Sequence, residues 1–130
     1  MYAITKYYCK SMKETTKKVM DQDGSIPYFE KNRDPAKTAK MIVEEANELV
    51  DAINEAYITD DATSVIGEIA DVLYLVLKFC AEMEIDPEKA VDMKIERNYC
   101  KYAGATSHLE ARKQWGNGDR LFYDLYMRTE

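Results

Sequence analysis

Apolar residues along this 130-residue chain recur mostly at intervals of three and four positions, the period of an amphipathic α-helix. The spacing predicts four main helices, over about residues 2–20, 35–57, 62–84 and 87–102. No stretch alternates between apolar and polar residues as a half-buried strand does. The sequence therefore predicts an all-α fold of the four-helix-bundle type.

Two aspartate–proline pairs mark predicted helix starts. Asp34-Pro35 and Asp86-Pro87 each combine an N-cap residue with a proline at the first helical position. Residues 59–61 interrupt the apolar period between the second and third helices, and the first helix is expected to end near Asp23-Gly24. Residues 25–33 are predicted to form a loop, whose turn or pocket residues are Pro27, Tyr28, Phe29 and Asn32.

The C-terminal stretch from Gly104 onward is less regular. Residues 108–115 are compatible with a short helix, and residues 116–119 have the composition of a turn. Residues 121–127 are too apolar to remain fully solvated. They are expected either to pack on a partner subunit or to cover a pocket.

Two acidic clusters lie inside the second and third predicted helices. They are Glu44, Glu45 and Glu48 in one helix, and Glu68 and Asp71 in the other. At about 100° per residue, Glu68 lies on the same side as the apolar residues three positions before it and four, seven and eleven positions after it. Because an unpaired buried carboxylate is costly, Glu68 and Asp71 are predicted to bind a cation. Two alternatives stay open: the first cluster could be a solvated helix face, and Lys78 could neutralise Asp71.

Several carboxylates that converge on one place indicate a hard divalent cation between them. Mg²⁺ binds oxygen ligands and keeps waters that substrate phosphates can replace, so Mg²⁺ is the predicted ion, with Mn²⁺ as a possible substitute. A di-iron site would need Glu-x-x-His motifs, and the single histidine, His108, belongs to none. Zinc is disfavoured because no cysteine–histidine cluster occurs.

Composition narrows the class of protein further. The net charge is −6, and no basic stripe suggests nucleic-acid binding. No segment has the pattern of a signal peptide or of a membrane span. The three cysteines lack ligand spacing and are expected to be free thiols in a reducing cytoplasm. One domain over residues 1–130 is predicted, and a homo-oligomer is expected because one helix pair cannot enclose its own core.

The paired motif Glu44-Glu45-x-x-Glu48 and Glu68-x-x-Asp71 resembles the signature of the all-α nucleoside triphosphate pyrophosphohydrolases, especially the MazG-like enzymes. The resemblance covers about residues 35–102 and leaves 104–130 as an extension of unknown role. It implies hydrolysis between the α- and β-phosphates, which gives a nucleoside monophosphate and pyrophosphate. It also implies assembly as a homodimer or homotetramer, and catalytic roles for all five carboxylates. Glu45, Glu48, Glu68 and Asp71 would bind Mg²⁺, and Glu44 would support these ligands or orient the attacking water.

A basic helix follows in MazG-like proteins, and residues 94–102 resemble it. Lys94, Asn98 and Lys101 share one helix face, and the resemblance implies that they contact the substrate phosphates. Two other functions stay open. One is phosphoribosyl-ATP pyrophosphohydrolase activity in histidine biosynthesis, which requires no role for Lys94 and Asn98. The other is a non-catalytic, metal-stabilised helical interaction module. Candidates for stacking on a base are Tyr28, Phe29, Tyr74 and Trp115.

Overall fold

The secondary structure is helical in the computed structural model, which describes residues 12–128 and contains no strand in that range. The all-α prediction is confirmed. The helices are α1 (Met12–Ser25), α2 (Pro27–Lys31), α3 (Pro35–Thr59), α4 (Thr63–Glu82), α5 (Pro87–Tyr102), α6 (His108–Trp115) and α7 (Gly118–Arg128). None of these described helices has the length and apolar character that crossing a bilayer requires.

The chain divides into two compact units, with the boundary between residues 87 and 88. The first unit contains α1 to α4, and the second contains nearly all of α5 together with α6 and α7. The predicted single domain over residues 1–130 is not tested by this division and stays a prediction.

The predicted boundaries of the long helices are close to those observed. Asp34 caps α3 by accepting a hydrogen bond from the Lys37 backbone N–H at 3.2 Å. The helix ends at Thr59, and the residue that caps it, Asp60, has a left-handed φ of 57°. The α5 helix spans Pro87 to Tyr102, as the sequence predicts. The first helix continues to Ser25, slightly beyond its predicted end, and the part predicted over residues 2–11 lies outside the described residues.

Two sequence predictions about connecting segments are wrong. Residues 25–33 are not simply a loop, because Pro27 begins the short helix α2, which closes with a hydrogen bond from the Asn32 N–H to the Tyr28 carbonyl. The predicted turn over residues 116–119 is shorter, because α7 already begins at Gly118. Helical structure therefore continues through the apolar residues 121–127.

In the first unit, α4 packs along α3 and also against α1. Its buried residues Leu75, Leu77 and Cys80 contribute to the core, with Ala52 from α3 and Val19 from α1. The helices α3 and α4 run antiparallel. This direction brings the acidic cluster in the middle of α3 beside the acidic cluster near the start of α4.

The other end of the α3–α4 pair is fixed by polar contacts. Near the start of α3, Thr38 donates a 2.6 Å hydrogen bond to Glu82, which lies at the end of α4. Glu82 also accepts from the Asp34 backbone N–H at 2.9 Å. These bonds set the alignment of the two helices, and that alignment decides which acidic residues face each other.

Candidate active site

Three of the predicted metal ligands come together on the α3–α4 pair. Glu45 and Glu48 lie one turn apart on α3, and Glu68 lies on α4. One carboxylate oxygen from each residue is within 4.8 Å of the others. This arrangement requires the antiparallel packing of the two helices, since the cluster takes residues from both.

Two of these carboxylates contain a buried oxygen that accepts no hydrogen bond from the residues the structure describes. Glu45 and Glu68 are half-buried, and their Oε2 atoms are buried without a hydrogen-bond partner among the described residues. Glu48 is exposed. A buried carboxylate oxygen without a partner carries a large desolvation cost. A cation between the helices would remove that cost.

The crowding of negative charge alters the acidity of the cluster. The pKa of Glu45 is raised from 4.5 to about 7. The largest cause is its side-chain hydrogen bond with Glu48, followed by loss of solvent and by the negative charges of Glu48, Asp71 and Glu68. Loss of solvent and the charges of Glu48 and Asp71 also raise the pKa of Glu68, although its contact with Glu45 acts in the opposite direction. Without a cation, this cluster therefore favours holding a proton.

The remaining predicted carboxylates lie outside the group of three. Asp71 is exposed, and it influences Glu45 and Glu68 through its charge. Glu44 is exposed on α3 and does not belong to the cluster. The alternative in which Lys78 neutralises Asp71 is wrong, because the Lys78 ammonium lies 3.3 Å from Asp23 and 3.4 Å from Glu82.

The donor set fits a hard divalent ion. All three clustered side chains offer oxygen, which is the ligand type that Mg²⁺ and Mn²⁺ accept. The two partnerless oxygens are the structural observation behind this fit, because they need a positive partner that the described residues do not supply. The assignment of Glu45, Glu48, Glu68 and Asp71 as metal ligands stays a prediction.

A cavity of about 140 Å³ lies in the same unit, at the end of the α3–α4 pair where Thr38 bonds to Glu82. One of its lining residues, Met41, is one helical turn before Glu45 on α3. The predicted pocket residues Tyr28, Phe29 and Asn32 line it, together with Asp34, Lys37, Thr38, Met41 and Lys78. The Lys78 ammonium lies 5.1 Å from the centre of the Phe29 ring.

Sequence reasoning missed the buried ion pairs beside this cavity. Asp23 is fully buried, accepts a 2.7 Å hydrogen bond from Arg33 and forms the ion pair with Lys78. The available signal was a lysine within the apolar stretch of α4, where such a residue needs a buried acidic partner. The candidate Tyr74 belongs to this region as well, because its hydroxyl contacts the Gln22 side chain.

The predicted phosphate contacts lie on α5, in the second unit. Lys94 and Asn98 are exposed and Lys101 is half-buried. Asn98 lines an open groove of about 400 Å³ with Ile95, Tyr99 and Tyr102. The binding of phosphate by these residues stays a prediction.

The comparison with known families decides the class of protein. A family model described as phosphoribosyl-ATP pyrophosphohydrolase matches residues 10–98, about two thirds of the chain. The chain belongs to this family. No curated protein and no solved structure matches it.

Membership fixes the general chemistry. Family members are pyrophosphohydrolases of the MazG-like superfamily, hydrolases that act on phosphoric anhydrides, and the protein is an enzyme of this class. The match includes both acidic clusters and continues along α5 as far as Asn98. It ends before α6 and α7.

Proposed function

We propose that the protein hydrolyses the bond between the α- and β-phosphates of a nucleoside triphosphate in a Mg²⁺-dependent reaction. One water is consumed, and the products are a nucleoside monophosphate and pyrophosphate. The observation that carries the proposal is the cluster of Glu45, Glu48 and Glu68, with two buried oxygens that find no hydrogen-bond partner within residues 12–128. The clustered negative charges are unfavourable in the protein alone and become favourable when a cation bound to a triphosphate lies between them.

The four ligands proposed for the ion divide between the helices. Glu45 and Glu48 come from α3, and Glu68 and Asp71 come from α4. When bound, Mg²⁺ would offset charge on the phosphate oxygens and make an attacking water more acidic. The packing of α3 on α4 holds the carboxylates in place, so little rearrangement of the protein is needed when substrate binds. Glu44 lies beside the cluster in sequence and is proposed to orient the water.

The cavity lined by Met41, the residue one turn before Glu45 on α3, is the proposed place for the nucleoside. Tyr28 and Phe29 offer aromatic surface, which suits a nucleobase. Asn32 and Thr38 provide polar groups that can distinguish one base edge from another. A nucleoside placed there would have its phosphates directed along α3 toward the acidic cluster.

Phosphoribosyl-ATP is the second candidate substrate, and the description of the matching family favours it. It contains the same triphosphate chain and would undergo the same α–β cleavage. The difference is a second sugar phosphate on the purine, which the substrate cavity would have to accommodate. The two candidates therefore share the carboxylate site and differ only in the base-binding region.

The test is a panel of ribo- and deoxyribonucleoside triphosphates together with phosphoribosyl-ATP, each incubated with Mg²⁺. Products are separated by anion-exchange chromatography, and ¹⁸O-labelled water identifies the phosphorus that water attacks. We expect a monophosphate and pyrophosphate from at least one compound, and no turnover after chelation of the metal. The compound with the highest kcat/KM separates the two candidate substrates.

Two results would overturn the proposal. Release of orthophosphate would mean cleavage of the terminal anhydride, which is a different reaction. A complete absence of turnover, combined with a Mg²⁺-dependent rise in melting temperature, would favour the metal-stabilised interaction module.

A further inference from the structure

The helices α6 and α7 lie beyond the family match, yet they are bonded to the helix that contains the predicted phosphate contacts. Arg97 on α5 is buried, with only 7% of its surface exposed. It forms a two-bond ion pair with Asp119 of α7, from Nε to Oδ1 at 2.7 Å and from Nη2 to Oδ2 at 3.0 Å. Fork-shaped pairs of this kind fix the guanidinium in one orientation.

Asp119 is itself held in place from α6. The Trp115 indole N–H donates a 2.7 Å hydrogen bond to Asp119 Oδ1. Gly118 permits this approach, because a Cβ at that position would lie 2.6 Å from two carbons of the Trp115 ring. The bonds from Arg97 and Trp115 hold the pKa of Asp119 well below its usual range, so the pair stays ionised at neutral pH.

The third nitrogen of the guanidinium points to a predicted substrate residue. Arg97 Nη1 donates a 3.0 Å hydrogen bond to Asn98 Oδ1. A guanidinium can only donate, so the amide oxygen must face Arg97 and the amide NH₂ must face away from it. Asn98 Nδ2 has no acceptor among the described residues, and the side chain is exposed beside the groove with Tyr99 and Tyr102.

We propose that the C-terminal extension positions Asn98 to bind phosphate. Trp115 holds Asp119, Asp119 holds Arg97, and Arg97 turns the Asn98 amide so that its two N–H groups point away from the guanidinium and are available as donors. The inference depends on the proposed function in one respect, namely that Asn98 meets the substrate phosphates. Arg97, Trp115 and Asp119 are positioning residues in this scheme. Lys94 and Lys101 supply charge on the same helix face, while the fixed amide supplies two directed donors.

The main test measures binding without hydrolysis. Inorganic tripolyphosphate is titrated into the ¹⁵N-labelled protein, with and without Mg²⁺, while the Asn98 side-chain NH₂ and the Arg97 Nε–H resonances are followed. We expect the Asn98 resonances to shift on binding. Asp119→Ala should weaken tripolyphosphate binding about tenfold, the loss typical when a partner that orients a binding group is removed.

Substitution of Asn98 itself tests the inference even if changes in the extension were to unfold α6 and α7. Asn98→Asp keeps the acceptor for Arg97 but replaces the two donors with a negatively charged oxygen, so it should weaken binding by about tenfold or more. In a double-mutant cycle, Asp119→Ala together with Asn98→Ala should bind no more weakly than Asn98→Ala alone, because Asp119 acts through Asn98. In turnover assays, the same variants should raise KM and leave kcat within about twofold.

Ser107→Ala is the matched control. Ser107 caps α6 by accepting from the Glu110 N–H at 3.1 Å, so its loss loosens the extension without touching the bonded chain from Trp115 to Asn98. Its affinity for tripolyphosphate should equal that of the unmodified protein. Gly118→Ala should instead displace the indole and reproduce part of the Asp119→Ala effect.

The outcomes separate this inference from the proposed function. The inference would be overturned if the Asn98 resonances stay unchanged in saturating tripolyphosphate. It would also be overturned if the affinity losses of Asp119→Ala and Asn98→Ala add fully in the double variant, even if nucleotides are hydrolysed. A shift and a coupled cycle without any nucleotide turnover would support the inference and reject the proposed reaction.

Discussion

Glu68 shows how a single residue can reveal a site. It lies on the apolar side of α4, where a carboxylate has no value for solubility. One of its oxygens is buried and has no hydrogen-bond partner in the described part of the chain. Its raised pKa has burial as the first cause and neighbouring negative charge as the second. Both causes destabilise the ionised form in the protein without metal, and both weaken when a cation binds.

We therefore predict opposite effects of Glu68→Gln on activity and on stability. The variant should lose pyrophosphate release by at least about a hundredfold, because a proposed ligand and its charge are removed. Without metal, it should melt at a higher temperature than the unmodified protein, because a repelling charge is gone. Pyrophosphate assays and thermal melts in chelator measure the two effects.

The sign of the pH dependence provides an internal check. The pKa of Glu68 is raised in the folded protein, so its contribution to stability is complete below the ordinary value of 4.5 and is lost as the pH rises through the folded value. The advantage of Glu68→Gln should therefore be largest in alkaline buffer and shrink on acidification. Glu55→Gln, an exposed change on α3, should alter neither activity nor melting. Lower stability of Glu68→Gln at every pH would assign Glu68 a structural role.

At the scale of elements, the sequence predicts helix boundaries well where the signals for them lie within the helix itself. The Asp34-Pro35 cap and the apolar periods of α3 and α4 are local signals, and they placed these helices within a few residues. The helix α2 and the start of α7 depend on contacts made by short segments, including the Trp115 ring over Gly118. Apolar periodicity contains no information about such contacts.

The same distinction holds for the site. Helical spacing alone placed Glu45 and Glu48 together, because residues one turn apart share a face. Spacing could not give the alignment of α3 against α4, which the bonds from Thr38 and Asp34 to Glu82 help to set. For the same reason, spacing along α4 does not reveal the partner of Lys78, since Asp23 reaches it from a different helix.

The ion pairs of Lys78 lead to a prediction about how α1 is attached to α4. Asp23 is fully buried and the Lys78 side chain is only 12% exposed, so loss of the ammonium leaves buried negative charge poorly compensated. Lys78→Met should lower the free energy of unfolding by about 3 kcal/mol, measured by urea denaturation. Arg33 remains beside Asp23 and limits the loss.

The matched comparison is the exposed pair between Lys17 and Asp21 on α1. Both side chains are more than half exposed, so Lys17→Met should change the unfolding free energy by less than about 1 kcal/mol. Equal effects of Lys78→Met and Lys17→Met would mean that the buried pair does not hold α1 in place.

At the scale of the whole molecule, the unusual property is the apolar surface that α3 and α4 leave exposed. Val43, Val50 and Tyr57 follow one another at seven-residue spacing on α3, with 61%, 54% and 86% of their surfaces exposed. On α4, Ile66 and Leu73 repeat the seven-residue interval, with 72% and 48% exposed. Large contiguous apolar patches on a soluble protein usually mark an interface. Stripes at this spacing suit helix-to-helix packing between two copies.

We therefore predict a homo-oligomer that buries these two stripes, with a mass in solution of at least about twice 15.0 kDa. Val50→Lys together with Leu73→Lys should yield monomers that remain helical, because both side chains are exposed within one copy and their replacement leaves its core intact. Light scattering coupled to gel filtration measures the mass, and circular dichroism measures the helix content. Leu109→Lys, an equally exposed apolar change on α6, should leave the mass unchanged. A mass near 15 kDa for the unmodified protein would reject the interface, and full activity of the monomeric variant would place the whole catalytic site within one copy.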